Sequence, residues 1–330
     1  MKSVAVVLLN YNGKDLLKKF LPTVIENSPE AKIYVADNGS TDHSKEWVEE
    51  FFPEIQWISL ENNFGYAGGY NHALPFVEEP IYCLLNTDVE VRKGWLTPII
   101  DLFNKRSDIG IVQPKLLDYK DKSAFEYAGA AGGFIDKYGF PYCRGRIFNT
   151  VEKDNNQYAS GEIFWASGAC FFIRKETFEL LGGFDEDFFA HQEEIDLCWR
   201  AFNNNITIYY CNESIVYHIG GATLHKSSPQ KTFLNFRNSL YMLYKNVPLE
   251  GRFSLLFKRL SWDGLAGIQM MLTGKPMHCF AVVRSHFAFY AHLSSLKKKR
   301  PTVEAKTNYY KINSIVTKYF FKGIKKYSDL

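Results

Sequence analysis

SVAVVLLNYNGKDLLKKFLPTVIENSPEAKIYVADNGSTD, residues 3–42, decides the fold class. Its first seven residues form a continuous β-branched and apolar run, the pattern of a strand buried on both faces of a parallel sheet. Residues 14–27 then place Leu17, Leu21 and Ile25 at helical spacing, and residues 32–36 (KIYVA) read as a second short strand. The alternation continues outward. Residues 44–52 read as a helix with Trp47, Val48 and Phe51 on one side, 56–60 as a third strand, 81–85 (IYCLL) as a fourth and 95–104 as a further helix. This order predicts an α/β fold, an open and mostly parallel sheet flanked by helices. Ligands of such sheets sit outside the carboxyl ends of the strands, so the polar segments there are where chemistry is expected.

Four candidate strands end in such segments: Asn10-Tyr11-Asn12-Gly13, DNGSTD (37–42), NNFGYAGGYN (62–71) and Asn86-Thr87-Asp88. A carboxylate at a strand tip can accept from a ribose hydroxyl or a base N–H, which suits Asp37 to nucleoside recognition. Gly39 allows a tight turn, and Ser40, Thr41 and Asp42 can cap the next helix. The glycines of 65–69 let backbone approach a ligand closely. Asp88, with diphosphate oxygens, could hold Mg²⁺ or Mn²⁺. Each segment alone reads as an ordinary turn; four on successive strands of one sheet point to a site.

Residues 165–200, WASGACFFIRKETFELLGGFDEDFFAHQEEIDLCWR, form the strongest cluster. Helical spacing over 193–202 puts Glu193 and Asp196 on one face, with Arg200 four residues beyond. An acid at a helix start is favoured by free N–H groups and the helix dipole. Held near an acceptor it can act as a general base; otherwise it is a capping carboxylate with a surface ion pair. His218, between a strand-like run (214–217) and two glycines, is a candidate metal or phosphate ligand. Residues 117–160, rich in Gly, Tyr and Asp, read as a long insertion or a pair of hairpins.

The bulk figures set the frame. A chain of 330 residues predicts one large domain with an appendage, placed at 1–222 and 223–330. Aromatics at 16% fit an aromatic core, sugar-stacking surfaces or a membrane interface. The six cysteines contain no CxxC pair, the opening apolar run is too short for a signal peptide, and no stretch of about 18 apolar residues is present. These features predict reduced thiols, a cytoplasmic location and no membrane span. From Lys245 onward there are 16 Lys/Arg against 4 Asp/Glu, so a tail of +12 follows a body of −9. Within the tail, Ile312, Ile315, Val316, Tyr319, Phe320 and Ile324 share one side of a helical projection of 308–327, next to a stripe of Lys311, Lys318, Lys322 and Lys325. The expectation is a basic amphipathic helix on an anionic membrane surface, the alternative being that its apolar face packs on the domain. No nucleic-acid-binding motif accompanies the charge.

Taken in order, VVLLNYNG, VADNGSTD, NNFGYAGGYN, LLNTDV, WASGACFFIR, GGFDEDFFAHQEEIDLCWR, YHIGGAT and Phe236-Arg237-Asn238 resemble the family 2 glycosyltransferases of GT-A fold, over roughly residues 3–240. The nearest branch is that of bacterial rhamnosyltransferase-like enzymes of surface-polysaccharide synthesis. The resemblance implies a nucleotide diphosphate sugar donor, a saccharide or lipid-linked acceptor, a divalent cation (Mg²⁺ or Mn²⁺) and attachment at the inner face of the cell membrane. It implies that Asn10 and Asp37 contact the nucleotide, that Gly68 and Asn71 lie in the segment closing over it, and that Asp88 and His218 hold the metal. Trp165, Gly168 and Ala169 would line the sugar and acceptor cleft. Glu194 or Glu193 would be the base, with Glu194 favoured by alignment, supported by Asp196 and Arg200.

The chain departs from the family pattern in two places. Asn86 stands where an aspartate is usual beside the donor, which shifts metal binding toward Asp88, His218 and substrate; Glu193-Glu194 replaces the usual Glu-Asp. The Gln-x-x-Arg-Trp signature of processive synthases is absent, so one inverting transfer per encounter is expected. Two rivals are a sugar nucleotidyltransferase, disfavoured by the lack of a basic Gly-rich loop after the first strand, and a non-catalytic carbohydrate- or membrane-binding scaffold.

Overall fold

A computed structural model of the chain describes residues 3–220 and 228–330. Its strands are β1 (Val4–Asn10), β2 (Ala31–Asn38), β3 (Gln56–Leu60), β4 (Ile81–Asn86), β5 (Val89–Val91), β6 (Ile109–Asp118), β7 (Gly133–Ile135), β8 (Pro141–Cys143), β9 (Arg146–Ile147), β10 (Thr150–Val151), β11 (Gly161–Glu162), β12 (Cys170–Arg174) and β13 (Thr207–His218). The helices are α1 (Lys14–Asn27), α2 (Ser44–Phe51), α3 (Gly65–Ala73), α4 (Thr97–Lys105), α5 (Lys175–Leu180), α6 (Glu193–Asn203), α7 (Pro229–Asn246), α8 (Arg252–Leu272) and α9 (Pro276–Lys298).

The main sheet runs β11-β13-β6-β12-β4-β1-β2-β3, with β5 pairing β13 off this path. The β1–β2, β1–β4, β2–β3 and β6–β13 pairs are parallel, and β12 is antiparallel to both neighbours. The expected mostly parallel sheet with flanking helices is therefore present. Val4–Leu8 and Cys83–Leu85 are inaccessible to water because helices cover both faces. All four polar segments follow the carboxyl ends of β1–β4, as the alternation required.

Two expectations need revision. The glycines of 65–69 form no open loop: α3 starts there, with only Gly65 at positive φ (71°). A Cβ at Gly69 would lie 2.8 Å from Leu9, and one at Gly68 2.8 Å from Phe64, so the small residues serve close helix packing. The 117–160 region, read as an insertion or a pair of hairpins, builds two hairpins joined in a second, four-stranded sheet, β10-β9-β8-β7, with Phe134, Tyr142 and Tyr327 packed together on one side. The tail does not form the projected helix. Its helical part is short, ending in a π-helical turn at Thr317–Phe321, while Tyr309, Ile315 and Tyr319 are buried in the larger core cluster. Ile315 N–H donates to buried Asp136 at 2.8 Å, and Tyr327 packs beside Phe134 and Tyr142. Lys311 and Lys325 lie over Phe134 and Tyr319 rather than in an open stripe.

The physical reason is burial. β-branched and aromatic residues are mediocre helix formers, and an aromatic surface already stands ready to receive them. One core thus spans the expected 222/223 boundary, which itself lies outside the described residues. The prediction is that Ile315→Ala destabilises the chain by roughly 2–5 kcal/mol, as for other fully buried aliphatic truncations. Urea denaturation would register it as a lower midpoint at similar m; an unchanged midpoint would mean that the tail is not docked.

Candidate active site

At the tip of β1, Asn10 is fully buried. Its amide donates to Asp37 Oδ1 (3.0 Å), Ser40 Oγ (3.1 Å) and Ser44 Oγ (2.9 Å). This lashes the β1 and β2 tips together and fixes the Asp37 carboxylate, which also accepts from the Ser40 N–H. Asn10 is therefore committed to holding Asp37 rather than reaching outward.

The register of the short β5 strand assembles the second corner. Val89 pairs with His218, which forces Asp88 against the histidine ring. Asp88 Oδ1 lies 3.1 Å from His218 Nε2, and Glu126 Oε1 lies 3.3 Å from His218 Nδ1; all three residues are buried. Burial alone would push the imidazole pKa down, but the Glu126 and Asp88 carboxylates override it and raise it to about 10. A buried pair of carboxylates demands a cation, and here the imidazolium supplies it. The same donors suit a divalent metal, with Nε2 and Asp88 aimed at one another and the far ring nitrogen facing a carboxylate that would orient it. Among the described residues no group of three or more His, Cys, Asp or Glu forms a complete metal cage. The fit is therefore to a site of two protein ligands, Asp88 and His218, completed by donor oxygens. Gly221 and the two residues after it in the YHIGGAT segment lie outside the described residues. Sequence reasoning missed Glu126, whose Gly-rich surroundings carry no pattern.

The third corner is the start of α6. Glu193 is buried and Glu194 half-buried, and each carries a buried carboxylate oxygen (Oε2) without a hydrogen-bond partner. Burial and the neighbouring Glu194 hold the Glu193 pKa well above the usual carboxylate range. Burial also pushes Glu194 up, to about 7, against backbone N–H groups of the helix start and of Gly168. Gly168 is the link between corners. A Cβ there would lie 3.7 Å from the Glu194 carboxyl carbon, its carbonyl accepts from Tyr66 (2.8 Å), and the next residue, Ala169, accepts from Asn86 N–H (3.0 Å). Glu194 is thus connected through Gly168-Ala169 to Asn86, two residues from Asp88. Tyr66, between them, is a further site residue that its glycine-rich context disguised.

Other anticipated residues stand elsewhere. Asp196 is fully buried and accepts from Arg200 (2.9 Å), Lys245 (3.1 Å) and Asn246 (2.7 Å). It lies two residues from Glu194, about 200° around the helix, and so points away from it. Asp196 pins α6 to α7 through Lys245 and Asn246, and Arg200 braces Asp196 and the Leu181 carbonyl. The Trp165 indole lies beneath Gly133 and donates to the Phe134 carbonyl, in the core and not in a cleft. Asn71 bonds the Phe184 backbone and Glu186, latching α3 to the loop before α6.

That loop is strained. Phe189, His191 and Gln192 all have positive φ (61°, 73° and 75°), a conformation costing of order 1–3 kcal/mol per non-glycine residue. Asn238 holds it, its amide shared among the carbonyls of Phe188, Ala190 and His191 (2.9, 2.9 and 2.7 Å). Arg237 adds bonds to the Asp187 and Phe188 carbonyls. The Phe236-Arg237-Asn238 segment thereby acquires a role: it sets the entry of α6 and the position of Glu194. Asn238→Ala is predicted to lower kcat at least about tenfold while leaving donor affinity near normal; an equal loss of calorimetric donor binding would contradict this. Glu126→Gln is predicted to weaken Mn²⁺ binding about 10–100-fold, as for other residues that orient a ligating histidine. Mn²⁺ titration followed by electron paramagnetic resonance would show it, and unchanged affinity would remove Glu126 from the site.

Comparison with known proteins agrees with this architecture. The profile of glycosyl transferase family 2 matches residues 5–182. The chain is 26% identical to the low-salt glycan biosynthesis hexosyltransferase Agl10 of Haloferax volcanii, over 72% of this chain and 74% of that one. It is 23% identical to the N-acetylglucosaminyl-diphospho-decaprenol L-rhamnosyltransferase of Mycobacterium tuberculosis, over 66% and 76% of the two chains. Among solved structures, GalNAc-T7 with UDP, GalNAc and Mn²⁺ superposes with a TM-score of 0.59 at 14% identity, covering 89% of this chain and 58% of the other. With the family profile spanning more than half of its length and a GT-A sheet beneath the site, the chain belongs to glycosyl transferase family 2 and is a glycosyltransferase.

Proposed function

We propose that the enzyme carries out an inverting, non-processive transfer of a hexose, with rhamnose the leading candidate, from a nucleotide diphosphate to a saccharide carried on a lipid. The reading rests above all on one observation. A half-buried carboxylate of raised pKa, Glu194, is connected through Gly168 and Ala169 to the strand tip bearing Asp88. The nucleoside would sit at Asp37, held in place by Asn10. Asp88 and His218 would hold a divalent cation together with the diphosphate, and that cation supplies charge neutralisation at the leaving group. The relatives in Haloferax and Mycobacterium, named as a hexosyltransferase and as a rhamnosyltransferase of a polyprenol-linked sugar, support the donor and acceptor classes.

Within this scheme the two glutamates divide the work. Burial and the neighbouring Glu194 hold the Glu193 carboxyl well above the usual carboxylate range, which disfavours a second negative charge in the cleft. Glu194, near 7, can take the acceptor hydroxyl's proton as that oxygen attacks the anomeric carbon from the face opposite the diphosphate. Only the deprotonated form works, so the rate rises with pH through about 7. Glu194→Gln is predicted to lower kcat by roughly 10²–10⁴-fold and to abolish that acidic limb, with donor binding retained. Near-normal transfer by the variant, with the limb intact, would reject Glu194 as base.

A further inference from the structure

The hairpin of α8 and α9 leaves an unusual surface in water. On α8, Phe257, Ile268 and Leu272 are 73%, 56% and 82% exposed; on α9, Met277, Phe280 and Phe287 are 62%, 57% and 71% exposed. These are not scattered residues. Within each helix they are spaced by three, four, seven or eleven positions, all close to whole numbers of turns, and so form one stripe per helix. The two stripes share a face. The helices meet where Gly267 abuts Cys279 and Val282, and the apolar stripes lie roughly 105° around from that seam on α8 and roughly 140° on α9, in the same rotational sense. Because the helices run antiparallel, both stripes open to the same side. The opposite side is filled: Arg259 and Asp263 of α8 are buried near Ser239 of α7, and Phe289 of α9 packs on Tyr241 and Tyr244. Monomeric soluble proteins rarely leave so continuous an apolar face to solvent.

The charge around this face selects its occupant. Residues 252–300 contain nine Lys/Arg and a single acid, Asp263, which is buried and paired with Arg259. Lys258, Lys275 and Arg284 are exposed on the hairpin, and Lys297 and Lys298 are exposed at the end of α9. A second copy meeting this face through a two-fold axis would bring like charges together. An anionic lipid surface meets both requirements, taking the apolar side chains below the headgroups and the cations among them. Among the described residues no helix is long and apolar enough to cross a membrane, so the hairpin would lie on the bilayer. The tail contributes less than its sequence suggests, since its only strongly exposed apolar residues are Phe320 and Phe321, the latter beside Trp262 of α8.

We infer that the α8–α9 hairpin is a monotopic docking surface for an anionic bilayer. The inference builds on the proposed lipid-linked acceptor and locates where that acceptor is met. The turn of the hairpin stands next to the start of α7, with Thr232 hydrogen-bonded to His278 (2.7 Å) and Arg284 over Phe233. The same helix α7 carries the Arg237 and Asn238 that set the base loop, so one helix joins the docking hairpin to that loop.

The test is co-sedimentation of the full chain with phosphatidylglycerol–phosphatidylcholine vesicles and with pure phosphatidylcholine vesicles. The expected result is binding to the anionic vesicles that weakens as salt rises, and at least about tenfold weaker binding by the F257S/F280S/F287S variant. Substituting exposed residues preserves the fold, to be checked by an unchanged Tm. Metal-dependent hydrolysis of the nucleotide sugar, measured without vesicles, should match wild type; its absence in both proteins would count against the proposed metal-dependent reaction and leave the docking result standing. Equal vesicle binding by wild type and variant would overturn the inference. So would a wild-type dimer that ignores vesicles and becomes monomeric in the variant.

Discussion

The clasp between α7 and the loop before α6 is the interaction on which the catalytic end of the molecule depends. Three non-glycine residues of that loop sit at positive φ, a conformation the isolated segment would leave. Asn238 and Arg237 make the loop's carbonyls worth keeping where they are, because a buried carbonyl without a partner costs more than the local backbone strain relieves. The buried Asp196 cluster performs the complementary task one turn further along. Its carboxylate is surrounded by Arg200, Lys245 and Asn246, so α6 and α7 cannot slide without uncovering a charge. Together these contacts hold the start of α6 at a defined height above Gly168.

That placement explains how adjacent glutamates come to differ. Successive helical residues are separated by about 100°, so Glu193 turns into the interior and Glu194 toward the opening. Burial raises both carboxyl groups, Glu193 as the more deeply buried and Glu194 to about 7, the kind of difference in environment by which proteins assign roles to paired carboxylates. Across the site the opposite electrostatic solution appears. With no metal bound, Asp88 and Glu126 favour the protonated form of His218, and a divalent cation held by Asp88 and His218 would take the place of that proton. A site that concentrates negative charge at one corner and withholds it at the other is suited to an anionic leaving group bound through a cation and an uncharged acceptor alcohol.

The C-terminal third shows how burial redistributes what a sequence seems to offer. The tail's apolar residues are drawn into the aromatic underside of the small sheet, around Phe134, Tyr142 and Phe148. The hairpin before it, with no comparable partner, keeps its apolar face outward.

Local pattern was sufficient for much of the molecule. Residues 14–27 and 56–60 occupy the very helix and strand that their periodicity predicts, and the polar segments after β1, β2 and β4 fall at strand ends because alternation alone forces them there. The acids at the start of α6 and the strand before His218 were legible for the same reason: helix and strand periods are short-range properties. Tertiary structure alone decided the rest. Whether Asp196 faces a substrate or a lysine depends on Lys245, 49 residues away; Glu126 matters only because its segment pairs with the end of β6, which itself runs beside His218; and Trp165 is hidden because Gly133 leaves room above its ring. Amphipathic periodicity announces that a segment has an apolar side. It does not say what will cover that side, because the partner is supplied by distant chain, and here that choice sent the tail inward and left α8 and α9 facing out.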